Sequence, residues 1–255
     1  MKSKQTALRP WAVAVWLLVW QGASLAFRLL FPHGELLLAS PLAALARLGQ
    51  LALTAPFWRS VGNSALHILG GFLLSCALAA ALAALAARLR PVAELLYPLV
   101  AAVKAVPVVS FIILALVWLD SRALSLFISG LMVFPPVYLN VLAGIGAADR
   151  ELLEMARVFR VPWRRKLAGI WLPAVLPYFR SAVSLSLGLC WKAGAAAEVI
   201  GLPGGTIGER LYTAKVYFQT PDLFAWTAVI VAVSLAFEKL FLRAVDRLAG
   251  KVGAL

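Results

Sequence analysis

The stretch DRELLEMARVFRVPWRRKLAGIWLP, from Asp149 to Pro173, is the most basic polar segment in a chain otherwise built of long apolar runs. Asp149 can cap a short helix reaching about Phe159, with Glu151 and Glu154 near its positive end. Val161 and Pro162 then break the helix, and a second one starts at Trp163 and runs through Lys166 toward Ile170. Pro173 and Pro177 are expected to turn the chain back into the apolar segment that follows. Leu152, Leu153, Ala156 and Phe159 form an apolar stripe at helical spacing, while Arg157, Arg160, Arg164 and Arg165 lie largely off it. A plain connector needs only a few residues. Two helices with a break between them read instead as a hairpin, covering about 149–173, offered to a soluble partner.

Working outward, the rest of the sequence has the composition of a membrane protein. Hydrophobic residues make up 63% and charged residues 14% of the 255 positions, and the mean hydropathy is +0.91. Soluble domains use about 45–50% apolar residues. Crossing a hydrocarbon core takes about 20 apolar residues as helix, and lipid offers the backbone no hydrogen bonds, so helices are expected. Six candidate spans follow: Trp11 to Phe31, Val61 to Ala87, Val92 to Leu119, Ala123 to Ala147, Phe179 to Ile200 and Leu223 to Val245. The period-two alternation of a membrane barrel is absent. The expected fold class is therefore an all-α integral membrane protein of six transmembrane helices. A first unit (1–60) holds one span and an outer interfacial helix, and the remainder (61–255) forms a five-helix core.

Charge sets the orientation. Lys2, Lys4 and Arg9 precede the first span, Arg88 and Arg90 separate the second from the third, the hairpin carries its arginines after the fourth, and Lys239, Arg243, Arg247 and Lys251 close the chain. The other side holds Arg28, Arg47, Arg59, Arg122, Arg210 and Lys215. The positive-inside rule then places both termini and the hairpin in the cytoplasm. The net charge of +13 is thus explained by membrane orientation, and no nucleic-acid motif accompanies it. The first apolar run is too long for the core of a cleaved leader, so a retained helix is expected. Cys76 and Cys190 fall inside apolar spans and read as small buried hydrophobes.

Several local signals refine the picture. Pro41 to Thr54 is too short and too polar to cross, and it is expected to lie along the outer interface. Pro107 should kink or break the third span, and Pro135 with Pro136 should do the same to the fourth. Thr220, Pro221 and Asp222 mark the start of the last span as N-cap, first helical proline and first-turn acid. The glycine-rich segment from Gly201 to Gly208 lacks the Lys of a phosphate loop, so it reads as a turn packed on the outer face.

Glu154 and Ala156, followed at the right distances by Ile170, Leu172 and Pro173, resemble the EAA loop of the permease subunits of binding-protein-dependent ABC importers. That pattern is Glu-Ala-Ala, three residues, Gly, nine residues, Ile, one residue, Leu-Pro. Met155 stands at the first Ala and Arg160 at the Gly, which leaves the turn to be made without glycine. Lys104 to Pro107 resembles a basic-x-x-Pro element of the nitrate, sulfonate and taurine branch, and the likeness extends over most of the chain from about Pro41. The resemblance implies a type I permease: a non-catalytic subunit of the bacterial cytoplasmic (inner) membrane, forming the pathway with a second permease subunit, by default a second copy. Two copies of an ABC ATP-binding subunit would dock on the hairpins through Glu151, Glu154, Ala156, Arg157, Arg160, Ile170, Leu172 and Pro173. ATP and Mg would sit on those partners, with no cofactor, metal or catalytic residue on this chain. An external or periplasmic binding protein would deliver the substrate, a small organic or inorganic anion such as sulfonate, taurine or nitrate.

Ionisable residues inside apolar spans are expensive unless they face a cavity or a partner. Lys104, Lys192 and Glu198 are such residues, and with Pro107 and Trp191 they are the candidates for lining the pathway. Lys192 and Glu198 are six residues apart, about 240° around a helix, so they cannot neutralise each other on one face. Each lysine could instead meet an acid across helices or snorkel to an interface. An ion-driven secondary transporter or channel is the alternative reading, but it asks for inverted internal repeats or polar pairs in several spans; no repeat is visible, and acids within the spans are scarce. A membrane-embedded enzyme would need a cluster of His, Asp, Glu or Ser that the sequence does not supply.

Overall fold

A computed structural model of the protein describes residues 9–252, so Lys2 and Lys4 lie outside the described residues. Twelve helices follow in chain order: α1 (Pro10–Leu30), α2 (Gly34–Leu37), α3 (Pro41–Ala52), α4 (Ala55–Arg88), α5 (Arg90–Ala105), α6 (Val108–Ala115), α7 (Ser121–Gly146), α8 (Arg150–Val158), α9 (Trp163–Lys166), α10 (Leu172–Gly201), α11 (Ile207–Val216) and α12 (Thr220–Val252). A π-helical segment, Leu167–Trp171, joins α9 to α10. Among the described residues there is no strand.

Among the described residues, four helices are long and apolar enough to cross a membrane: α1, α4, α7 and the unbroken run Trp163–Gly201. The bent pair α5 and α6 would make a fifth. α12 has 33 residues, about 50 Å of helix. The third predicted span is not a rod. α5 and α6 meet at 107° across Val106 and Pro107, and Pro107 forms the cap of α6. The expected break at Pro107 is thus present.

The fourth predicted span does not break at its prolines. α7 runs continuously through Pro135 and Pro136 because it is the centre of the bundle, with α4 on one side and α10 on the other. Val133, Phe134, Pro135, Val137 and Tyr138 are all buried there. Small residues let the backbones approach, the general device of packed membrane helices. A Cβ on Gly71 would meet Leu126 O at 2.2 Å, and one on Gly130 would meet Gly71 O at 3.1 Å. Ser75 Oγ donates to Gly130 O across this crossing at 2.7 Å. The main core gathers Ile68, Phe72, Val133, Val137, Leu187 and Trp191, and Phe237 and Phe241 of α12 meet the ring of Phe72 edge-on.

The end of the bundle away from the hairpin is closed by polar contacts. Ser40 caps α3 by accepting from Ala43 N. Trp20 Nε1 donates to Ala39 O and Ser24 Oγ to Leu38 O, tying α1 to the segment before α3. Arg47 of α3 grips Asp222 of α12 through Nε and Nη2 at 2.5 and 3.1 Å, and this hydrogen bonding raises the Arg47 pKa further. Thr220 does not cap α12 as its sequence suggests. Its hydroxyl donates to Leu36 O, and Gln219 O accepts the first helical bonds instead.

Candidate functional site

The hairpin is built as its sequence reads at its start and differently at its end. Asp149 accepts from Glu151 N at 2.8 Å and from Leu152 N, capping α8. The apolar stripe then divides into two faces. Leu153 and Ala156 turn inward, Ala156 being 1% exposed, while Leu152, Met155 and Phe159, at i, i+3 and i+7, face outward. Glu151, Glu154, Arg157 and Arg160 are exposed beside that outward face. Phe159 and Trp163 are 74% and 67% exposed.

The turn closing α8 answers the question raised by the missing glycine. Arg160 adopts φ +50°, the left-handed conformation that glycine favours. Val161 N donates to Ala156 O at 2.9 Å and Arg160 N to Arg157 O at 3.1 Å, the paired bonds of a Schellman cap. Arg160 therefore reproduces the glycine geometry at the cost of steric strain, about 1–2 kcal/mol for an L-residue. Pro162 then cannot continue the helix and leads into Trp163, whose ring lies 5.8 Å under the Arg164 guanidinium.

Pro173 and Pro177 do not turn the chain. From Trp163 to Gly201 it stays helical. Leu172 N bonds back to Leu167 O, one residue farther than in an α-helix, and the widened turn lies just ahead of Pro173, which occupies the first turn of α10, where a missing N–H matters least. Ile170, Leu172 and Pro173, the second half of the sequence motif, thus sit on a shaft continuous with the bundle core. Leu172 and Pro173 are exposed and Ile170 is partly covered.

The five residues proposed from sequence for the pathway fall into different surroundings. Lys104 ends α5 and is exposed, as is Pro107 at the break beyond it. Lys192 is exposed on α10, whereas its neighbour Trp191 is buried in the core. Glu198 is fully buried and pairs with neither lysine. Its Oε2 accepts from Ser64 Oγ at 2.7 Å and from Gly208 N at 3.1 Å, and Ser64 Oγ accepts in turn from Ile207 N at 2.8 Å. A Cβ on Gly208 would lie 2.2 Å from Glu198 Cβ, so only glycine lets α11 approach this closely. Within the chain, Glu198 thus fastens the glycine-rich turn to α4 and α10. The role of Ser64 is not legible in the sequence, since its partner Glu198 lies 134 residues away. Met155 enters the sequence reading only as a departure from the motif, and its spacing from Leu152 and Phe159 is the signal that would place it on the outward face.

The family comparison adds to this geometry. The model of the binding-protein-dependent transport system inner membrane component matches residues 76–252, from the middle of α4 to the end of α12. A Bacillus subtilis permease named for aliphatic sulfonates is 28% identical over 211 residues, covering 82% of this chain and 76% of the relative. The riboflavin transport system permease protein RibX of Chloroflexus aurantiacus is 27% identical over 200 residues, 78% and 74% of the two chains. The bicarbonate transport system permease protein CmpB of Synechococcus elongatus is 24% identical over 186 residues, 72% and 66%. With the matched region spanning the hairpin and the helices it joins, the chain belongs to the binding-protein-dependent inner membrane components, as an ABC importer permease of the nitrate and sulfonate branch.

Proposed function

We propose that this chain crosses the bacterial inner membrane six times with both termini inside, pairs with a second copy to form a substrate pathway, and takes its driving force from a separate ATP-binding subunit docked on the hairpin. The observation that carries this reading is the outward face of α8 with Trp163 beside it, apolar, rimmed by arginines and uncovered. Such a surface suits a cleft on a partner, with buried aromatic anchors and charged rims. Each chain carries one hairpin, so two copies would engage two ATP-binding subunits.

The mechanism follows from the connections of the hairpin. Closure of the paired ATPases moves α8. The Arg160 turn passes its motion to Trp163 at the foot of the shaft ending at Gly201. Displacement of α10 against α7 then alternates access to the pathway. The cargo is a small anion handed over by an external binding protein. Sulfonate and bicarbonate relatives support an anion, and the exposed Lys104 and Lys192 supply charge to attract it.

The test is affinity purification of the tagged chain from native membranes in a mild detergent, comparing wild type with Phe159→Asp and Glu154→Lys. Loss of a co-purifying ATPase, with the melting temperature of the permease unchanged, is the expected result. An ATPase retained by both variants, with uptake intact, would overturn the docking assignment.

A further inference from the structure

At the end of the bundle opposite the hairpin, a cavity of about 220 Å³ opens between α3, the start of α4, α11 and the start of α12. Its apolar wall includes Phe57 and Trp226, whose rings stack at 5.0 Å. Its polar wall includes Arg47, Arg210 and Asp222. The charges on that wall do not cancel. Arg47 spends Nε and Nη2 on Asp222 and Nη1 on Gln50. Glu209, next to Arg210 in sequence, is committed to Gly205 N at 2.7 Å. Arg210 itself makes one long contact, Nε to Ser60 Oγ at 3.4 Å, and its Nη1 and Nη2 meet no acceptor among the described residues. One positive charge is therefore left over beside an aromatic wall, with a planar donor fork free to bind.

We propose that this cavity is an oxyanion site, taking a singly charged phosphate diester or sulfonate whose oxygens engage the Nη1 and Nη2 donors of Arg210. A guanidinium fork matches two oxygens of such a group in a bidentate pair, which a single ammonium cannot do. Occupancy would tie α11 to α3, α4 and α12, because Arg210 belongs to α11 and the other walls to those helices. The ligand could be the phosphodiester of a lipid headgroup or a free oxyanion of the outer medium. The site does not depend on what the pathway carries.

The experiment uses the full-length chain with whatever subunits co-purify. In one arm, wild type, Arg210→Gln and Arg210→Lys are purified in parallel, and retained phospholipid is counted by native mass spectrometry. In the other, delipidated protein is titrated calorimetrically with dimethyl phosphate and with methanesulfonate. A lipid source predicts a phospholipid lost from Arg210→Gln. A free source predicts saturable binding to wild type that weakens about ten- to hundredfold in Arg210→Gln. In either case Arg210→Lys should recover only part of the binding. The titration of wild type stands even if a variant folds poorly. Wild type that neither retains a phospholipid nor titrates with either anion would overturn the proposal, as would equal binding by wild type and a folded Arg210→Gln.

Discussion

Replacing Ser64 with alanine should destabilise the protein far more than loss of one hydroxyl suggests. Ser64 Oγ is completely buried and bridges three elements, donating to Glu198 on α10 and accepting from the first amide of α11 while belonging to α4. Without it, Ile207 N–H has no acceptor, and Glu198 keeps only the bond from Gly208 N, its Oε1 having no partner among the described residues even in the wild type. Each orphaned buried group costs about 1–3 kcal/mol, so the substitution should cost about 2–5 kcal/mol. In a chain of this size that is a fall in melting temperature of roughly 5–15 °C. Ser129→Ala is the matched control. Ser129 is equally buried, but its shortest bond returns to Ser125 O of its own helix at 2.6 Å, a carbonyl the helix already uses. Its loss should cost about 1 kcal/mol or less. The assay is thermal unfolding of the purified variants in one detergent, followed by near-ultraviolet circular dichroism. A Ser64→Ala variant melting with wild type, or above Ser129→Ala, would refute the argument that this bridge holds the glycine-rich turn in place.

Three further outcomes are expected. Arg160→Gly should relieve the left-handed strain and stabilise the hairpin turn by about 1 kcal/mol, read as roughly fivefold slower hydrogen exchange at Val161 N–H; unchanged exchange would mean that the strain is not there. Gly71→Ala, whose new Cβ would sit 2.2 Å from Leu126 O, should cost about 1–3 kcal/mol or more, whereas Gly62→Ala on the same helix, with nothing within 4 Å, should be neutral or slightly stabilising; equal melting of the two would contradict the close crossing of α4 and α7. Arg47→Ala should cost about 1 kcal/mol after allowance for solvent screening of its partly exposed side chain, and Asp222→Asn added to it should cost little more. Additive losses across that double-mutant cycle would show that the pair is not coupled.

The outcomes at the prolines show how far local sequence reaches. Pro107 and Pro135 remove the same backbone donor and create the same clash, yet one marks a bend of 107° and the other sits inside a continuous helix. The difference lies in what surrounds them. Lys104, Ala105 and Pro107 are exposed, so nothing opposes the bend, whereas Pro135 is buried between α4 and α10. Pro173 is a third case, where a wider turn just before it keeps the helix intact. The hairpin was more legible. The Asp149 cap and the break before Pro162 each act within a few residues, and local rules were sufficient for them, though not for the facing of the apolar stripe or the continuous helix through Pro173.

By itself, the sequence determined the membrane class, the approximate places of most of the apolar helices, the capped start of the hairpin and its likeness to a permease family, because hydropathy and capping act over a turn or two of chain. Only the tertiary structure decided that Glu198 is a buried fastener held by a serine 134 residues away. It also decided that Leu153 and Ala156 are covered while Met155 and Phe159 face out, and that Arg210 is left without a counter-charge in a half-open cavity. These depend on which side chains from distant segments meet. An isolated helix has no inside, and a buried charge has no partner until another helix brings one.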